Sequence, residues 1–335
     1  MPIPTARISN PFVFLTLLAA TIASARTDAA AASPDADKYP ARPVRIVIGF
    51  TPGGVPDITA RLIATRLTET WKQQVIVDNR TGAGGTIAGQ IVASANPDGY
   101  TLLSVSNAHS VAAAIYPKLP YDTVRDFAGI TMTASGPALL LVPPALGTKT
   151  VKELIALARS RPGQLNFSSA GIGSGSHFAG EIFKSAAGID AVHIPLKGIP
   201  EAITETMAGR VHFFMSPLAS AIGLVKEGKV PAIAVTSPQR MPQLPAVPTV
   251  AESGLAGFRW EYWYGMLAPA KTPRPLIALL NQEITRALGQ PEVGGRLSAL
   301  GAEPAPTTPQ AFDAFIAKDI ATLTAIARKS GITAQ

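Results

Sequence analysis

The sequence predicts an α/β protein of two lobes with a ligand cleft between them. Three observations carry that prediction. Short apolar runs alternate with helical patterns from about residue 43 onward. The rhythm then starts a second time near residue 150. Finally, one aromatic-dense, strand-like stretch, FRWEYWYGMLAPA (258–270), is long enough to cross between lobes and leads back to a helical tail. Strand–helix–strand repetition favours parallel pairing with helices on both faces of a sheet. The returning segment suggests discontinuous lobes, one of residues 40–138 plus 266–335 and one of residues 139–265. Two independent consecutive domains are the alternative topology.

The elements follow in order. VRIVIGF (44–50) reads as the first strand. DITARLIATRLTETW (57–71) reads as a helix, because Ile63, Leu67 and Trp71 recur at i+4 on one face. Asp57 stands where an N-cap would, and its carboxylate can accept from free first-turn amides. QVIVDN (74–79) is the next strand, a helix follows GAGG (82–85), and YTLLSVS (100–106) is the third strand. ALLLVPP (138–144) is a fourth, ended by two prolines. TVKELIALARSRPG (150–163) opens the second run as a helix. Strands are expected at LNFSSA (165–170), AVHIPL (191–196), VHFFMS (211–216) and PAIAVTS (231–237), with helices between them. A proline-rich loop, PQRMPQLPAVPT (238–249), precedes the crossing segment. LIALLNQEITRALG (276–289) and PQAFDAFIAKDIATLTAIARKSG (309–331) are the helices of the tail.

The N-terminus reads as a targeting segment. Arg7 precedes a short apolar run, PFVFLTLLAATI (11–22), and the small residues Ala23-Ser24-Ala25 follow. This order predicts a secretory signal over residues 1–25, a leader over 26–39 and a periplasmic mature protein. No cysteine follows the apolar run, so no lipid anchor is expected there.

Composition narrows the function classes. Of 335 residues, 47% are hydrophobic and 15% charged, enough for a substantial core. The absence of cysteine excludes disulfides, thiol nucleophiles and thiolate-bound metals. The net charge of +7 is spread along the chain, and aromatics are sparse at 6%, so there is no basic stripe of the kind nucleic acid requires. A mild positive field favours anionic ligands. No nucleic-acid partner, cofactor or metal is expected, and a monomer is.

Three glycine-rich loops share one position, after a strand and before a helix. They are TPGGVPD (51–57), NRTGAGG (79–85) and SAGIGSGSH (169–177). In a parallel sheet that position is the carboxyl edge, where ligands bind. Glycine lets backbone amides approach a ligand, and a helix start adds free N–H groups suited to a carboxylate. Ser174 or Ser176 could cap the helix that follows the third loop, with His177 in its first turn.

Sharper catalytic motifs are missing. GAGGTIAG and GIGSGS both lack the final glycine of a dinucleotide fingerprint. No phosphate-binding G-x-x-x-x-G-K-[ST] and no G-x-S-x-G elbow occurs. His109, His177, His193 and His212 form no local metal spacing, and the carboxylates do not cluster. A hydrolase using Ser174 or Ser176 with His177 is the enzymatic alternative; a ligand-sensing receptor is the signalling one.

The chain resembles the periplasmic solute receptors of tripartite tricarboxylate transporters, the Bug or TctC-like family. VDNRTGAGG, NPDGYTLL, YPKLPYDTVRDF, HIPLKG, AVTSPQR, PAVPTVAESGLAGF and GMLAPAKTP stand where that family has close equivalents. The likeness runs from YPARPVRIVIGFTPGGVPD to the C-terminal helix. It implies a two-lobe periplasmic binding-protein fold of type II character, closing over a small organic acid, with transporter membrane subunits or a sensor as partners. It also implies a carboxylate held by backbone amides, hydroxyls and water. By position, Phe50, Gly53, Gly54, Val55 and Pro56 would meet it from lobe one, and Ala170, Gly171, Gly173, Ser174 and His177 from lobe two. Ser106, Asn107, Ala108, His109 and the turn at Ser216-Pro217 would shape the distal end, with Asp57 capping the helix. Leu196, Met215-Ser216 and Val55-Pro56 replace residues that are more polar or smaller in many members. That points to a ligand with an apolar or aromatic body and one strong carboxylate, rather than citrate.

Overall fold

The computed structural model describes residues 39–330 and 332–333. The predicted targeting segment, 1–25, lies outside the described residues, as does the leader as far as residue 38. The described chain forms a mixed sheet whose main path joins β1 (Val44–Ile48), β2 (Val75–Asn79), β3 (Thr101–Ser106), β4 (Phe127–Leu141), β5 (Asn166–Ser169), β6 (Val192–Pro195), β7 (Phe213–Pro217) and β9 (Glu261–Pro269). Their order in space is β2-β1-β3-β9-β4-β7-β5-β6. The short strands β8 (Ala232–Val235) and β10 (Glu303–Pro304) add to β4.

The repeated rhythm gives the parallel pairs. β1 pairs with β2 and β3, and β5 pairs with β6 and β7, all parallel. Helices connect them: α1 (Val55–Trp71), α2 (Thr86–Ala93), α3 (Asn107–Ile115), α4 (Val151–Ser160), α5 (Gly175–Ala187), α6 (Ile199–Met207) and α7 (Leu218–Lys226). The tail supplies α8 (Arg274–Leu288), α9 (Pro291–Leu300) and α10 (Pro309–Ser330).

The antiparallel strands β4 and β9 join the two sets. β4 runs for 15 residues, far beyond the expected 138–144. Its first part pairs with β9, and its last residues pair with β7 and β8. β9 in turn lies between β4 and β3. The sequence reading missed the first part, FAGITMTASGP, because Gly129, Gly136 and Pro137 break its apolar pattern. Gly136 is needed: a Cβ there would lie 2.8 Å from the Gly301 carbonyl.

Helix α1 buries Ile63 and Leu67, as its spacing predicts, with Trp71 half-buried. It begins two residues earlier than expected. Pro56 suits a helix start, and Gly54 is the N-cap. Asp57 therefore sits inside the first turn and reaches back, its Oδ2 accepting from the Gly53 amide at 3.1 Å. The main core runs through both sets of strands, from Ile46 and Leu102 to Phe167, Phe183 and Phe213. Among the described residues, no helix is long and apolar enough to cross a membrane.

Candidate functional site

Five helices begin at one cleft. Gly54, Ser106, Ser174, Gly198 and Pro217 are the N-caps of α1, α3, α5, α6 and α7, and all five line the same cavity. The cavity spans about 520 Å3 of empty space, counting solvent at its mouth. Each helix start carries amides without intrahelical partners and the positive end of a macrodipole. Among the described residues, the lining contains no Lys, Arg, His, Asp or Glu. The site is thus electropositive through its backbone alone. Such a field favours an anion, and a planar carboxylate can accept several converging N–H groups.

The remaining walls are apolar. Phe50, Val55, Pro56, Ile199, Pro200 and Pro217 contribute, with Tyr262 and Tyr264 on one face of β9. Both tyrosines are buried, and burial raises their phenols well above the usual range. They are neutral walls. The Tyr262 hydroxyl donates to the Met215 carbonyl at 2.7 Å, fixing its ring against β7.

The first loop is braced from behind. Asp57 is buried and accepts from Gly53 N, Arg61 and Asn79. Burial alone would raise its carboxyl, but these bonds outweigh it and hold the pKa below the ordinary value. Asn79 also donates to the Phe50 carbonyl at 3.0 Å. Both ends of the TPGG turn are thereby tied without any charge entering the cleft.

The third loop is braced by a histidine pair. His177 and His193 stack with ring centroids 4.0 Å apart. His193 Nε2 and the Ser169 hydroxyl lie 2.7 Å apart, and His177 Nδ1 accepts from Gly173 N at 3.4 Å. Burial, then the Lys184 charge, lowers His177 to about 4. Burial, then His177 and Lys184, lowers His193 to about 3. Both rings are neutral at pH 7. The Ser174 hydroxyl accepts from His177 N at 3.2 Å, and Ser176 Oγ accepts from Ala170 N at 2.9 Å. Neither serine is paired with the His177 ring nitrogens, so the two hydroxyls shape the loop.

Of the predicted contacts, Phe50, Gly54, Val55, Pro56, Ser106, Ala170 and Ser174 line the cleft. Gly53 lines a neighbouring groove instead. Gly171 and Gly173 form the turn behind, packed on Leu196 and Tyr116. Asn107 is occupied: it donates to the Glu261 carbonyl and accepts from Trp263 N. His109 Nε2 donates to the Thr123 carbonyl at 3.2 Å, with its ring against Tyr121 and Phe127. It lines a smaller cavity that adjoins the cleft at Phe50 and Ser106. Ser216 is buried and bonds the Pro217 carbonyl. Sequence reasoning missed Thr51, Gly198, Ile199, Pro200, Ser220, Tyr262 and Tyr264. LKGIPE after β6 carried the same strand–glycine–proline–helix signal as TPGGVPD, and the i, i+2 tyrosines marked one face of β9.

Loops from the two sets of strands touch across the cleft. A Cβ on Gly198 would lie 2.8 Å from Thr51 Oγ1, and one on Gly84 would lie 3.1 Å from the Ile172 carbonyl.

Fold and site together define a two-lobed solute receptor of the periplasmic binding-protein class. The chain belongs to the TctC family, the tripartite tricarboxylate transporter family receptors, which it matches over residues 59–332. These are binding proteins, not enzymes. The fold is shared with an R. palustris protein solved with adipate, at TM-score 0.85 and 34% identity over 88% of this chain and 99% of that one. It is similar to the periplasmic binding protein BugD, at TM-score 0.84 and 32% identity over 89% and 100% of the two chains. MatC from Rhodopseudomonas palustris, solved with malate, matches at TM-score 0.81 and 33% identity over 86% and 99%.

Proposed function

We propose that this protein is an exported receptor that captures a small organic acid by its carboxylate and presents it to transporter membrane subunits. One observation carries the reading: five helix starts converge on a cleft whose described lining holds no charged side chain. The carboxylate sits among Gly54, Val55, Ser174, Gly175 and Ser176, met by backbone amides and hydroxyls. Relatives solved with adipate and malate support an acid as ligand. The ligand body lies against Phe50, Pro56, Pro200 and Tyr264, which favours an apolar or aromatic acid over citrate. A tricarboxylate would leave two anions against apolar walls, which is unfavourable without partners. Lobe one as 40–138 plus 266–335 and lobe two as 139–265 fit the strand order, in which β4 and β9 cross from one set to the other.

A thermal-shift screen of the chain from residue 26 tests this, with mono-, di- and tricarboxylates, aromatic acids and amino acids. A ligand at a hundredfold its Kd should stabilise by about 2.7 kcal/mol. An apolar monocarboxylate should give a concentration-dependent shift. Tight citrate binding with no response to apolar acids overturns the ligand class, and no response to any acid overturns the carboxylate reading.

A further inference from the structure

The cleft has a second compartment. An outer groove is lined by Gly53, Ile203, Thr204, Met207, Leu224 and Lys229. It shares Ile199, Pro200 and Ser220 with the inner cleft, so the two spaces meet at those three residues. Its walls are one face of α6 along its full length, the middle of α7 and the tip of the TPGG turn. Ile203 is buried, while Met207 and Leu224 are half-buried side chains packed onto the core beneath. At the junction, Ser220 Oγ is buried from solvent and has no hydrogen-bond partner among the described residues. The far end is polar: Lys229 is exposed and paired with Glu227 at 2.6 Å.

We propose that this groove is a subsite for the tail of an elongated acid. The carboxylate lies in the inner cleft, the chain passes Ser220, and an unbranched apolar tail lies along Ile203, Met207 and Leu224 toward Lys229. The inference rests on the carboxylate reading above and adds length to it. The three shared residues place the groove directly beside the inner cleft, and that adjacency argues for the same molecule as occupant. Apolar walls select hydrocarbon there, and the ion pair at the rim bounds how much of it is covered.

Isothermal titration with unbranched monocarboxylates from four to twelve carbons tests this on the folded chain. Affinity should rise about threefold to fourfold per methylene while the tail enters the groove, then level off. Leu224→Asp should abolish that rise and leave the four-carbon acid bound as in the wild type, which also shows that the variant is folded. Met207→Ala should weaken long acids several-fold and short ones not at all. Short acids that bind with affinity flat or falling with length would overturn the subsite and leave the carboxylate reading standing. Binding of no acid at any length would overturn both.

Discussion

Gly198 shows how much can depend on a missing side chain. Its backbone is extended, so alanine fits its conformation, but the added Cβ would press on Thr51 across the cleft. Gly198→Ala should weaken ligand binding at least about fivefold, given that overpacking costs about 1–3 kcal/mol. Adding Thr51→Ala should restore most of the loss relative to Thr51→Ala alone. Titration calorimetry of the four proteins reads the coupling, and independent effects would disprove the contact. Asp57 acts on the other side of the same turn. Asp57→Ala removes the acceptor for Gly53 and Asn79 and takes the ion-pair partner from Arg61, so it should lower stability by about 1–3 kcal/mol in urea melts. Asp57→Asn should recover part of that. The turn was legible in the sequence because glycine, proline and an acidic residue mark it locally. The role of Asn79 was not, since it depends on a residue 22 positions away.

At the level of elements, the βα loops were readable and their partners were not. SAGIGSGSH announces a helix start, but nothing local in it says that His177 stacks on His193 from β6. That pairing sets an acid sensitivity. An unfolded histidine titrates near 6.5, whereas the folded rings titrate near 4 and 3. Between those values the unfolded chain binds protons that the folded chain refuses. Stability is therefore full above about pH 6.5 and falls as pH drops toward 4, by up to ~1.4 kcal/mol per pH unit per histidine. His109, lowered to about 4 by burial, acts in the same direction. Thermal melts from pH 7.5 to 4.5 should show a falling midpoint, and His193→Gln should make the fall shallower. A pH-independent midpoint would refute the buried neutral pair. The depressed carboxylates contribute little in this window, because they stay ionised through most of it. Strand β4 was the largest miss among the elements. Its first part has buried residues on both faces, so the alternation that identifies half-exposed strands is absent.

Across the whole molecule, the aromatic segment brings the chain back as β9 to a crossing between β3 and β4. Trp260 and Trp263 lie at that crossing, and Trp263 donates to the half-buried Asp319 on α10. Ligand capture between the loop sets should change tryptophan fluorescence, and Trp263→Phe should remove most of the signal without removing heat of binding in a calorimeter. Equal signals from the two proteins would place the reporter elsewhere.

The position of β9 also dictates an order of events during synthesis. β3 and β4 are made early, yet they do not pair with each other; β9 must come between them. Leu103 waits for Leu267, and Gly136 waits for Tyr262. Until residue 269 has left the ribosome, the first three strands present an open edge and β4 lacks its main neighbour. Long-range pairings of this kind close late and slowly. The N-terminal half of the nascent chain is consequently held short of its final structure by the arrangement of its own sheet. A chain that must stay threadable until it has crossed a membrane would carry that delay in its topology.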